Sequence, residues 1–235
     1  NMWDGEYIKY GENLAAPRSP NIFFREKIFV RQTGDTIIAN LDTNNIANNT
    51  LHVLFAKDVS RCSNKYLLGL LNSQFMSWFY QAEHPTEVGK PMAEVKKAFV
   101  EELPLVVAEK DVVCTIEQYV DELLSLCQTR QQQKQKFLGY IKSAYEPKSI
   151  SERLEDFSTL TFKEFVSELK KQKAKLTASQ QMDLLTLFEE QKSEISSITS
   201  QIATVQTALD DLVFTIYQIP QDAAEQIKAS MQITL

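Results

Sequence analysis

Hydrophobic residues in the first hundred positions come as short runs set between polar ones. Lys27-Ile-Phe-Val-Arg31, Thr36-Ile-Ile-Ala-Asn-Leu41 and Thr50-Leu-His-Val-Leu-Phe55 are rich in β-branched and aromatic residues, which predicts three short strands. Gly34-Asp35 punctuates the first two and predicts a hairpin. The stretch from Asp42 to Asn49 holds four asparagines and predicts a polar loop before the third strand. Asn64 is placed to cap a helix running to about Gln81. Along it Leu67, Leu68, Leu71, Phe75, Trp78 and Phe79 keep a three/four spacing and form one buried stripe.

Beyond about residue 105 the pattern lengthens into helical seams. Val113, Ile116, Val120, Leu123 and Cys127 share one register, which meets Arg130 and Lys134 before resuming at Phe137 and Ile141. Cys127 thus takes a core position in this reading. Thr161-Phe-Lys-Glu164 and Thr177-Ala-Ser-Gln180 are capping boxes, each opening a helix. From Leu184 through Phe188, Gln191, Ile195, Ile198, Ile202, Val205, Leu209 and Leu212 to Ile216 the 3–4 alternation is strict. That helix reaches roughly 50 Å at about 1.5 Å per residue, and Pro220 stops it. Two long seams in one chain predict an antiparallel helical hairpin, with pairing to a second chain as the rival arrangement. The fold class expected is α+β. A small mixed α/β domain at residues 1–105 is followed by a long helical, coiled-coil-like region at residues 106–235.

Composition narrows the chemistry. The 235 residues carry 25 basic and 31 acidic side chains, a formal charge of −6, and 43% are hydrophobic, enough for a packed core. No apolar run approaches the roughly 18 residues of a membrane span, so no membrane partner is expected. Three cysteines without a CxxC pair suggest a reduced, cytoplasmic protein. Two histidines and no Cys/His cluster leave no zinc spacing, so no metal site is expected. Among six glycines there is no GxG, which removes the dinucleotide fingerprint and the P-loop. An opening at Asn1-Met2 fits a piece of a longer polypeptide.

The acidic total conceals basic stretches. Between Pro17 and Lys65 seven basic residues stand against four acidic ones, and between Arg130 and Lys175 eleven stand against six. Glu94-Val-Lys96, Glu168-Leu-Lys170 and Glu190-Gln-Lys192 match the ExK spacing of metal-dependent nucleases. That chemistry needs the element on a strand beside an upstream acid, and the last two lie in helical patterns. His52 falls in an apolar strand pattern, so a Cys/His nucleophile pair is equally unsupported. No catalytic residue is assigned. The residues left are Arg18, Arg25, Lys27, Arg31, Gln32, Thr33, Asn44, Asn45, Asn48 and Asn49 on predicted loops and strand ends. Arg forks onto guanine and Asn or Gln onto adenine, while Lys and Thr hold phosphates. A solvated hairpin surface accounts for the same residues.

Read as a string, the first part resembles the C-terminal target-recognition domain of type II restriction-modification DNA adenine methyltransferases. The fused type IIG enzymes, which cut and methylate with one polypeptide, are especially similar. The matching pieces are Tyr10-Gly11 with Leu14-Ala-Ala-Pro-Arg18, Lys27 to Ala39, Asn49-Thr-Leu-His52, and Lys65 to Ser73. Trp78-Phe-Tyr80, Glu94-Val-Lys-Lys97 and Leu103-Pro104 complete that part. Phe162-Lys-Glu-Phe165, Glu168-Leu-Lys-Lys171 and Asp210-Asp-Leu-Val213 with Tyr217 resemble the helical tail of these proteins.

Family members methylate through an Asn/Asp-Pro-Pro-Tyr/Phe motif beside bound S-adenosylmethionine. Here no two of the seven prolines are adjacent, so the resemblance implies a specificity end without its catalytic end. It implies double-stranded DNA as partner, and a methyltransferase or endonuclease domain in the same polypeptide or in a partner subunit. S-adenosylmethionine would belong to that domain, and no cofactor is expected in this chain. Lys134, Lys136, Lys170, Lys171, Lys173 and Lys175 would hold phosphates without reading sequence. Two other readings are a coiled-coil scaffold that binds a protein and a specificity subunit acting in trans.

Overall fold

The computed structural model describes residues 11–12, 14, 19–48 and 50–232. The chain forms two compact units, one of residues 1–114 with 213–235, the other of residues 115–212. Their boundaries fall inside two long helices.

The first unit is built on a three-stranded antiparallel sheet in the order β2-β1-β3, from β1 (Lys27–Arg31), β2 (Ala39–Asp42) and β3 (Leu51–Leu54). Lys27 pairs with Asp42 and Val30 with Ala39 on one side, Ile28 with Leu54 and Arg31 with Leu51 on the other. β2 and β3 therefore run parallel to each other, and residues 43–50 must return along the sheet to join them. β1 occupies the predicted span. β2 begins three residues later than the sequence suggests, because Ile37 is buried ahead of the strand. The Asn72 amide then closes on the backbone of Ala39, accepting from its N–H at 2.8 Å and donating to its carbonyl at 2.9 Å.

The predicted single helix is two, α1 (Asn64–Leu71) and α2 (Gln74–Glu83). Ser63 caps the first and Ser73 re-caps the second, each hydroxyl accepting a backbone N–H three residues on. Asn64 is not the cap. Its buried amide accepts from Ala56 N–H and donates to the Glu26 carbonyl, tying the helix start to the sheet. The break turns a second apolar row inward, so Tyr66, Leu70, Met76 and Tyr80 join Phe23, Ile28, Val30 and Val95 in the core. α3 (Lys97–Glu101) follows.

The second unit holds most of α4 (Lys110–Tyr145) and α7 (Ala178–Ile216), with α5 (Glu152–Glu155) and α6 (Phe162–Lys171) between them. Gln133 donates to Glu194 at 2.9 Å while Tyr145 lies near Asp183, so the two long helices run antiparallel. Phe137, Leu138, Ile141, Phe157, Phe165, Leu169, Leu184 and Phe188 form the shared core. Both predicted capping boxes are present, Thr161 with Glu164 and Thr177 with Gln180. The N-terminal seam does not hold throughout. Cys127 is exposed, and Leu123 is only half-buried.

The end of α7 returns to the first unit. Gln218 takes a left-handed φ of 53° and Ile219 N–H reaches back to the Phe214 carbonyl, closing α7 ahead of Pro220. α8 (Gln221–Gln232), which the apolar pattern does not single out, packs on α2. Tyr217 packs against Phe75 with the rings tilted by 33° and 4.3 Å apart, and it donates to the Pro104 carbonyl. Burial pushes its hydroxyl up to about 12 from the usual 10. A raised pKa in the folded state stabilises fully below the unfolded value and is lost as pH rises through the folded one. The urea midpoint should therefore fall between pH 10 and about 12. Tyr217→Phe should flatten part of that fall, while Tyr145, also pushed up to about 12 by burial, supplies the rest.

Candidate nucleic-acid interface

β1 sorts its side chains between two faces. Ile28 and Val30 point to the helices and are fully buried, whereas Lys27, Phe29 and Arg31 alternate onto the opposite face. Arg31 ends the strand in solvent. Gln32 and Thr33 follow it and are locked against the segment before α3. Val95 N–H donates to the Gln32 carbonyl at 2.7 Å, Gly34 N–H to the Ala93 carbonyl at 2.8 Å, and Thr33 bridges Glu94. The Gln32 amide donates to the Glu94 carboxylate at 3.3 Å. The hairpin tip is thereby fixed by three hydrogen bonds, with Arg31 and Thr33 left exposed.

Other sequence-predicted residues have different surroundings. Lys27 is fully buried. Its ammonium donates to the Phe23 carbonyl at 2.7 Å and pairs with Asp42, with the Phe29 ring 4.9 Å away. No part of it reaches solvent, so the expectation that it touches DNA is withdrawn. Partial burial raises the Asp42 carboxyl, but hydrogen bonds from Lys27 and Asn45 outweigh that and hold it below its ordinary value. Arg25 lays its guanidinium over the Phe55 ring at 4.0 Å and stays exposed.

Asn45 donates from its backbone and amide to Asp42, while Asn48 accepts from Thr50, so both shape the crossover loop. Asn44 is exposed. Asp42 opposes Lys27 while Thr50 opposes Gln32, so Asn44 and Asn45 lie at the other end of β1 from Arg31 and Thr33. Along the strand that separation is about 13 Å at 3.3 Å per residue. Arg18 and Asn49 lie outside the described residues.

In the second unit Lys170, Lys171, Lys173 and Lys175 are all exposed around the end of α6. Lys171 is paired with Glu168 at 2.9 Å. Lys173 takes a left-handed φ of 64° just past the helix. The sequence reading missed Lys148. Its backbone N–H donates to the Gln172 carbonyl at 2.7 Å, which brings this distant lysine to the same helix end. Lys134 is different, since Asp156 offsets its charge at 2.8 Å.

The chemistry set aside in sequence has a structural account. The His52 ring contacts the Val95 carbonyl at 2.6 Å and links β3 to the segment before α3. Glu94 serves Gln32, and among the described residues no group of three or more His, Cys, Asp or Glu is placed to hold a metal. No helix among them is long and apolar enough to cross a membrane.

The end of β1 thus leaves Arg31 and Thr33 in solvent, while Glu94 holds the Gln32 amide. Residues 2–105 match the family of the TaqI-like C-terminal specificity domain, and this part of the chain is such a domain. It is a DNA-binding specificity module of restriction-modification type, and such a domain is not catalytic by itself. Residues 109–213 match a family described as a domain of unknown function (DUF8810). No curated protein and no solved structure matches the chain.

Proposed function

We propose that this chain is the sequence-reading part of a restriction-modification adenine-N6 methyltransferase. The catalytic domain, fused to an endonuclease as in type IIG enzymes, belongs to the same polypeptide or to a partner subunit. The match of residues 2–105 to a specificity domain carries this reading. The fixed end of β1 gives it a mechanism. Arg31 and Thr33 are exposed on backbone that loses little entropy on binding, so a bidentate contact from Arg31 discriminates by about 1–3 kcal/mol while Thr33 holds a phosphate. Lys148, Lys170, Lys173 and Lys175 supply phosphate contacts, which add affinity without sequence preference. Methyl transfer from S-adenosylmethionine belongs to the catalytic domain, and the residues described here contribute position and discrimination.

The test is selection by the chain from a pool of DNA duplexes with randomised centres, followed by a salt titration of the winner. A short motif should be enriched, and log K should fall linearly with log salt. Arg31→Ala with Gln32→Ala should relax the motif at one or two positions and leave the salt slope nearly unchanged. No enrichment and no salt-dependent binding, with a solution mass above one chain, would instead establish a protein-binding scaffold.

A further inference from the structure

The loop between α2 and α3 ends in a conspicuous tip. Met92 is 84% exposed, the highest value for a large apolar side chain among the described residues. It also holds a φ of 62°, a left-handed conformation that is costly for a residue other than glycine. An exposed side chain gains nothing from packing that would offset the strain, so the loop itself must impose the conformation.

The loop does so from both limbs. Gly89 N–H donates to the Asp35 carboxylate at 3.0 Å, and Glu94 N–H donates to the Glu87 carboxylate at 3.3 Å. Ala93 N–H donates to the Lys90 carbonyl, and the Ala93 carbonyl accepts from Gly34. Glu87 is turned inward, its side chain 9% exposed, and it pairs at 3.4 Å with Lys90, which is 54% exposed. Glu94, two residues beyond Met92, faces solvent and accepts from the Gln32 amide. The bonds to Gly34, Gln32 and Thr33 make this tip continuous with the Arg31–Thr33 edge.

We propose that Met92 is an apolar wedge that enters duplex DNA between base pairs. The proposal rests on the DNA-recognition reading above. An unbranched, polarisable side chain on a hydrogen-bonded loop tied to the Arg31–Thr33 edge suits insertion into a base step, which unstacks the bases and opens the duplex locally. Pro91 stiffens the approach. The wedge then lowers the cost of extruding a base for a catalytic domain on the opposite side.

The experiment uses the duplex enriched by the wild-type chain, resynthesised with 2-aminopurine at successive positions, since this base brightens when unstacked. Wild type should brighten one position. Met92→Gly, which also relieves the φ strain and so keeps the fold, should lose the brightening. Its affinity should fall about ten- to a hundredfold, the range for withdrawing one buried methionine from a contact, with the preferred motif unchanged. Met92→Leu should retain both properties. Equal brightening with Met92→Gly, or a bound duplex that brightens nowhere, would overturn the wedge and leave the recognition reading standing. Failure to enrich any duplex would overturn both.

Discussion

Asp42→Ala should destabilise the first unit by about 3–5 kcal/mol, the usual cost of stripping one partner from a buried ion pair. The cost arises at Lys27, whose ammonium has no exposed surface and would keep only the Phe23 carbonyl as a partner. Loss of the two Asn45 contacts to the same carboxylate adds to it. Urea unfolding of the variant would show the shift. A double variant, Lys27→Met with Asp42→Leu, should recover much of it, because two apolar side chains leave no charge to solvate. The gap between wild type and Asp42→Ala should also narrow in acid. The Asp42 carboxyl is held below 3.8 when folded, so its contribution is complete above the unfolded value and is lost as pH falls through the folded one. A gap that persists unchanged in acid would place the stabilisation elsewhere.

Phe165→Ala should destabilise the second unit by about 3–5 kcal/mol through transfer and cavity costs. Phe165 is fully buried, with the rings of Phe188, Phe137 and Phe157 at 4.9, 5.7 and 6.2 Å. Those rings come from α7, α4 and the turn after α5, so no single neighbour can move in to fill the space. The midpoint of urea unfolding, followed by helical signal, should drop with little change in slope. A loss below about 1.5 kcal/mol, the range of volume-conserving swaps, would mean that the four-ring cluster is loosely packed.

The candidate interface divides in the same way as the fold. Arg31, Gln32 and Thr33 could be named from sequence because a strand end followed by Gly34-Asp35 must turn into solvent. Lys27 stands four residues away in the same strand and reads identically as a base on a hairpin. Only cross-strand pairing, fifteen residues along the chain, sets Asp42 beside it and removes it from the surface. Lys148 and Met92 escaped for related reasons. One reaches the α6 lysines through a single tertiary hydrogen bond, and the other stands out only once its exposure and φ are known.

Interactions between residues three or four apart were settled by sequence. The two capping boxes and the long stripe of α7 appear where their local patterns require, because each is built from residues three or four apart. Features that depend on what lies opposite were decided by the tertiary structure. The apolar period runs unbroken across Asn72 and Ser73, yet the helix breaks there, since Asn72 is drawn to the edge of β2. The seam of α4 keeps its register through Cys127, yet that side chain is exposed. A periodic stripe specifies which residues share a helix face. Only a partner surface determines how much of that face is removed from water.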